Sequence, residues 1–120
     1  MGGIALTATL APAPAFAETV RSSVNRNVEL VIGVTNVSST QVKLGTVTVT
    51  LVDGLGHSGA NYDFRLYIAS TLIKNDNHTC TRDECARQWA INKTYTKGTV
   101  VIGRMVVPGG SDVGAPRITL

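Results

Sequence analysis

Residues 62–69 read YDFRLYIA and alternate between a mainly apolar and a mainly polar set of side chains. The apolar set comprises Tyr62, Phe64, Leu66 and Ile68. Because successive side chains of an extended strand point to opposite faces of a sheet, this pattern predicts a strand with one buried face and one solvent-facing side. We therefore expect a sheet whose apolar face is covered by a second layer.

A longer β-branched run at residues 41–52 changes phase part of the way along. Val42 occupies an even position, whereas Val47 and Val49 occupy odd ones. A slip of one residue turns the apolar side chains of a strand toward water, so both halves can be buried only if an extra residue is accommodated between them. The change of phase therefore predicts a β-bulge at Gly45.

The remainder of the chain also has the character of strands separated by turns. Further strands are predicted at residues 28–35, 86–93, 98–107 and 117–120. Polar or glycine-rich loops are predicted at residues 36–40, 53–61 and 74–84. No stretch has convincing helical periodicity, and several short strands with Gly, Asn and Ser between them are typical of an all-β fold. We predict one antiparallel β-sandwich domain over residues 18–120.

Residues 1–17 have a different composition, without any charged side chain. Their apolar middle is followed by Ala15-Phe16-Ala17, which has the small residues of a signal-peptidase site. The segment is shorter than the roughly 20 apolar residues of a membrane-spanning helix. It therefore predicts a secretory signal, an extracellular location and no membrane span.

The two cysteines, Cys80 and Cys85, are expected to form a disulfide, because export favours oxidation. A zinc site made by His78, Asp83 and the two sulfur atoms is the alternative. Calcium is a further alternative, and solvated turns are favoured over it because no EF-hand pattern is matched. Its candidate oxygen ligands are Asn75, Asp76, Asn77 and Asp83, or Asp53, Asn61 and Asp63. We expect no cofactor.

Catalysis and nucleic-acid binding are both disfavoured by the sequence. His57 and His78 are the only histidines, and the neighbouring Ser58 and His57 do not form a recognised nucleophile motif. The carboxylate pairs Asp53–Asp63 and Asp83–Glu84 have no defined separation in the sequence alone. The net charge is +3, but the eleven basic residues are scattered rather than clustered. We predict a protein that is not an enzyme and does not bind nucleic acid.

The leader ending in Ala15-Phe16-Ala17, the Thr- and Val-rich strands and the closely spaced cysteines together resemble secreted actinobacterial proteins with immunoglobulin-like β-sandwich domains. The resemblance implies an immunoglobulin-like sandwich and an extracellular location, and it transfers no functional residue.

The function expected from this class is that of a non-enzymatic binding or surface-interaction module for an extracellular protein or a carbohydrate. Loops carry such contacts on rigid scaffolds, so residues 54–61 and 74–84 are the candidates. The expected contact residues are Asn77, His78, Arg82, Asp83 and Glu84. Two alternatives stay open: a homo-oligomeric filament or adhesin subunit that pairs through strand edges, and an enzyme inhibitor that inserts the loop closed by Cys80 and Cys85.

Overall fold

The computed structural model describes residues 18–52 and 58–120, which form an antiparallel β-sandwich without any helix. Its nine strands are β1 (Thr19–Asn25), β2 (Val28–Asn36), β3 (Gln41–Leu51), β4 (Asn61–Ile68), β5 (Thr71–Thr79), β6 (Ala86–Thr96), β7 (Val100–Val106), β8 (Asp112–Gly114) and β9 (Arg117–Thr119). The predicted fold class is therefore confirmed, while the immunoglobulin-like topology stays a prediction.

The strands divide into two sheets. Sheet 1 has the order β1-β2-β3-β6, and sheet 2 has the order β5-β4-β7-β8, with β9 also pairing with β7. The chain crosses between the sheets from β3 to β4, from β5 to β6 and from β6 to β7. As a result, β5 is an edge strand of sheet 2 and β6 is an edge strand of sheet 1.

The core lies between the inner faces of the two sheets and follows the alternation in the sequence. The buried side chains of β4 are Tyr62, Phe64, Leu66 and Ile68, as predicted. Gly103 of β7 lies opposite Leu66 in the same sheet, and its lack of a side chain allows β7 to approach sheet 1 closely. A Cβ atom at this position would lie 2.7 Å from Val49 Cγ2 and 3.0 Å from Leu30 Cδ1.

The bulge predicted at Gly45 is confirmed. In the register with β2, residues 45 and 46 of β3 together oppose the single residue Gly33. In the register with β6 the extra residue lies on β6, where Asn92 has a left-handed φ of 51°. The irregularity changes the phase of β3, so Val42 and Val47 are both buried despite their opposite parity.

The prediction of a loop at residues 74–84 is wrong for residues 74–79, which belong to β5. Asn77 and His78 consequently lie on a strand. Sequence periodicity missed this element because β5 is an edge strand with polar side chains on both faces. For the same reason the largely exposed β1 carried no alternating signal.

The predicted secretory signal at residues 1–17 and the part of the glycine loop at 53–57, including Asp53 and His57, lie outside the described residues. Among the residues that are described, none form a helix long and apolar enough to cross a membrane.

Candidate functional site

The disulfide between Cys80 and Cys85 is confirmed, with a Cα–Cα distance of 4.6 Å. Both cysteines are buried in the core cluster, and the backbone anchors them on either side. The Leu51 amide donates to the Cys85 carbonyl at 3.0 Å, and the Cys80 amide donates to the Ala60 carbonyl at 2.8 Å. These backbone hydrogen bonds tie the disulfide-closed β5–β6 connection to the end of β3 and to the residue before β4.

The zinc alternative has lost its two sulfur ligands, because the two cysteines are bonded to each other. Across residues 18–52 and 58–120, no group of three or more His, Cys, Asp or Glu side chains is arranged to hold a metal ion.

The expected contact residues do not form one surface. Arg82, Asp83 and Glu84 are exposed on the disulfide loop. The His78 Nε2 atom lies 2.8 Å from Glu84 Oε1, and its ring meets the Phe64 ring edge-on at 6.0 Å between centroids. Asn77, one residue away on β5, pairs in register with Asp63 and belongs to the opposite face of sheet 2.

A polar seam bridges the gap between β5, an edge strand of sheet 2, and β6, an edge strand of sheet 1. The Trp89 indole Nε1–H donates to Asp76 Oδ2 at 2.8 Å across this gap. Arg87 Nε lies 3.5 Å from the same oxygen, as an ion pair without hydrogen-bond geometry. These contacts link the two sheets to each other, so the seam has a structural role.

The outer face of sheet 2 carries a ladder of hydrogen-bonded polar side chains across β4 and β5. Asn61 and Asn77 exchange two amide hydrogen bonds, of 2.9 and 2.8 Å. Asn61 Nδ2 also donates to Thr79 Oγ1, and Asn77 Nδ2 donates to Asp63 Oδ1 at 2.8 Å. Three of the predicted calcium-ligand residues therefore meet here, with their oxygens accepting bonds from amide groups.

The ladder continues into a row of charged side chains across β4, β7 and β8. Arg65 of β4 is directly opposite Arg104 of β7. Arg104 makes a bidentate pair with Asp112 of β8, with Nε–Oδ1 at 2.7 Å and Nη2–Oδ2 at 2.8 Å. The hydrogen bond to Asp112 raises the pKa of Arg104 above its ordinary value, partial burial opposes this effect, and a hydrogen bond with Tyr67 adds to it. The guanidinium is therefore charged and fixed in position.

A shallow pocket of about 330 Å³ lies beside this row, on the same face. Its lining residues are Tyr67, Ser70, Ile102, Arg104, Asp112 and Ala115. Ser70 reaches it from the β4–β5 turn, in which Ala69 and Ser70 both have positive φ, of 51° and 68°. Positive φ at both positions is typical of a two-residue hairpin turn, and non-glycine residues adopt it at a cost.

The sequence did not indicate this pocket. Arg104 and Asp112 are distant from Tyr67 along the chain, and pairing of β7 with both β4 and β8 brings them together. The one available signal was the outward phase of Arg65 and Tyr67 within residues 62–69, which assigned both to a solvent-facing side.

A second depression, of about 260 Å³, lies on the outer face of sheet 1 above Gly33. The Glu18 side chain lines it and lies over Gly33, since a Cβ atom at Gly33 would lie 2.6 Å from Glu18 Oε2. Its volume is smaller and its lining residues include no aromatic side chain, so the outer face of sheet 2 is the better candidate.

Comparisons with protein-family models, with curated proteins and with solved structures found no match for this chain.

Proposed function

We propose that the chain is a non-enzymatic extracellular binding module that holds a carbohydrate on the outer face of sheet 2. The observation that carries this proposal is the pocket in which an aromatic ring, Tyr67, lies beside a guanidinium held by Asp112. A sugar presents an apolar ring face and several hydroxyl groups at once. Tyr67 and Ile102 suit the ring face, and the charged groups suit the hydroxyls.

Pre-ordering of the site supports the proposal. The polar ladder and the bidentate Arg104–Asp112 pair hold their side chains through contacts within the protein. A ligand that meets fixed side chains loses less conformational entropy on binding than one that must order them. The pocket is also open along the sheet, which fits an extended saccharide better than an enclosed metabolite.

The test is binding of the purified protein to a panel of neutral and acidic polysaccharides by affinity electrophoresis, with calorimetry for any polysaccharide that retards it. We expect Tyr67→Ala to weaken binding at least tenfold, because the platform for the ring is removed. The matched control is Gln88→Ala on the outer face of sheet 1, which should bind like the unmodified protein. Absence of binding to every saccharide in the panel would refute the proposal.

A second candidate function is self-assembly through the edge of sheet 1. Among the described residues, strand β1 pairs with no strand except β2, and it exposes Val20 and Val24 by 69% and 57%. An edge strand with unsatisfied backbone groups and apolar side chains can pair with another copy. Size-exclusion chromatography with light scattering tests this: a concentration-dependent increase in mass that Val20→Lys abolishes supports assembly, and a constant monomer mass contradicts it.

A further inference from the structure

We infer that the saccharide is an acidic one, whose carboxylate or sulfate group is bound between Arg65 and Arg104. This inference rests on the proposed function and adds the charge of the ligand to it.

Two like charges are juxtaposed on neighbouring strands of the outer face of sheet 2. Arg65 and Arg104 are directly opposite each other on neighbouring strands, and both side chains point to the outer face. Side chains at such positions have Cβ atoms about 5 Å apart, and like charges placed there repel each other. An anionic group between the two guanidinium groups would relieve this repulsion.

The two arginines are neutralised unequally by neighbouring carboxylates. Arg104 has both oxygens of Asp112 at hydrogen-bond distance, whereas Arg65 has only a 3.6 Å contact from Nη2 to Asp63 Oδ2. The other oxygen of Asp63 accepts a bond from Asn77. Within the described residues, the Nε of Arg65 is buried without a hydrogen-bond partner. Of the two arginines of this cross-strand pair, Arg65 is therefore the one whose guanidinium makes fewer bonds within the protein.

The outer face of sheet 2 carries more positive than negative charge around this pair. The residue opposite Ile102 on β9 is Arg117, which is exposed on the same side. Three arginines thus share the surface with two aspartates, Asp63 and Asp112. The remaining positive charge complements an anion and gives a neutral sugar no advantage.

The two arginines lie at a short, defined spacing from the platform for the sugar ring, which Tyr67 and Ile102 form. Tyr67 and Ile102 form the next cross-strand pair on the outer face after Arg65 and Arg104. Successive residues on one face of a strand are about 7 Å apart, which matches the size of one sugar residue carrying an acidic group. One acidic sugar can therefore contact the platform and the two arginines together.

The experiment compares polygalacturonate, dextran sulfate, neutral dextran and polyglutamate by affinity electrophoresis and calorimetry at low and high salt. We expect at least one of the two acidic saccharides to bind tenfold or more tightly than dextran, and the more tightly bound of the two identifies carboxylate or sulfate as the group recognised. Added salt should weaken this binding, because exposed charges are screened.

Arg65→Gln is the decisive variant, since it removes a charge that has little bonding within the protein. We expect it to weaken binding of the acidic saccharide about tenfold and to weaken dextran binding much less, because a neutral sugar presents no charge to the lost guanidinium. Arg82→Gln on the exposed disulfide loop is the matched control and should have no effect. Urea unfolding followed by Trp89 fluorescence verifies that both variants are folded.

The outcomes separate the two proposals. Equal affinity for dextran and for the acidic saccharides overturns this inference and leaves the proposed function intact, as does an Arg65→Gln variant that binds normally. Polyglutamate bound as tightly as the acidic saccharides overturns the inference in favour of an acidic peptide. Failure of every saccharide to bind overturns both.

Discussion

At the scale of the residue, the turn between β4 and β5 combines strain with a position at the pocket. Ala69 and Ser70 have φ values of 51° and 68°, in the left-handed region. For residues other than glycine this conformation costs about 1 kcal/mol each, because Cβ approaches the backbone carbonyl. The two-residue connection requires it, since turns with positive φ match the twist of a hairpin.

Ala69→Gly should relieve this strain. We expect the free energy of unfolding to rise by up to about 1 kcal/mol, measured by urea unfolding, even though glycine gains entropy in the unfolded chain. The same substitution at Ala90, on β6, should lower it by about 0.5–1 kcal/mol, because no strain is relieved there. Equal destabilisation by both substitutions would contradict the assignment of strain.

Gly103 shows the opposite situation, in which glycine is needed for space. A Cβ atom would lie 2.7 Å from Val49 Cγ2, in a core without room for it. We expect Gly103→Ala to lower the free energy of unfolding by about 1–3 kcal/mol through overpacking. Gly110→Ala is the control, since its nearest neighbours would lie 3.7–3.8 Å away. Thermal unfolding that shows similar losses for both variants would be at odds with this explanation.

At the scale of the element, β5 and β6 show how two edge strands are closed off. Asp76 connects the two strands by accepting the Trp89 hydrogen bond while lying near Arg87. Inward-pointing charges on an edge strand also discourage pairing with other chains. The seam therefore holds the sheets together and protects two of their edges.

Asp76→Ala should destabilise the protein by about 1–2 kcal/mol, because the part-buried indole N–H loses its acceptor. Asp83→Ala removes a carboxylate that is exposed to solvent on the disulfide loop, so it should leave the free energy of unfolding nearly unchanged. Urea unfolding gives the stabilities, and Trp89 fluorescence should shift only in the first variant. An unshifted spectrum together with unchanged stability in Asp76→Ala would exclude the role assigned to this bond.

At the scale of the whole molecule, stability is unevenly distributed between the strands. Strand β3 pairs with β2 on one side and β6 on the other, and its alternate side chains are buried. Within the part of the chain that the structure describes, β1 pairs with β2 alone, and all but one of its residues are exposed. Elements with few buried contacts open at a lower free energy than the core.

Hydrogen–deuterium exchange should therefore protect β3 and expose β1. We expect the β1 amides that bond to β2 to exchange about tenfold or more faster than the β3 amides, because opening β1 exposes little apolar surface. Comparison at two protein concentrations provides the control for self-assembly, which would slow exchange in β1 selectively. Equal protection of both strands in the monomer would show that β1 belongs to the cooperative core.

Alternation along the chain was sufficient to predict the all-β class, the buried face of β4 and the bulge at Gly45. These features depend on which side chains share a face, and a strand encodes that directly in residue parity. The disulfide followed from the pairing of two cysteines in a chain expected to be exported. Strands β1 and β5 escaped prediction because most of their side chains are exposed, so they do not require alternating apolar positions.

The candidate site lay beyond such reasoning. Arg65, Arg104 and Asp112 come from three strands, and nothing in their spacing indicates that β7 lies between β4 and β8. Strand order is set by how two sheets pack their apolar faces together, which depends on the whole chain at once. Local pattern therefore specified what is buried, whereas the packing of the sheets specified which exposed side chains became neighbours.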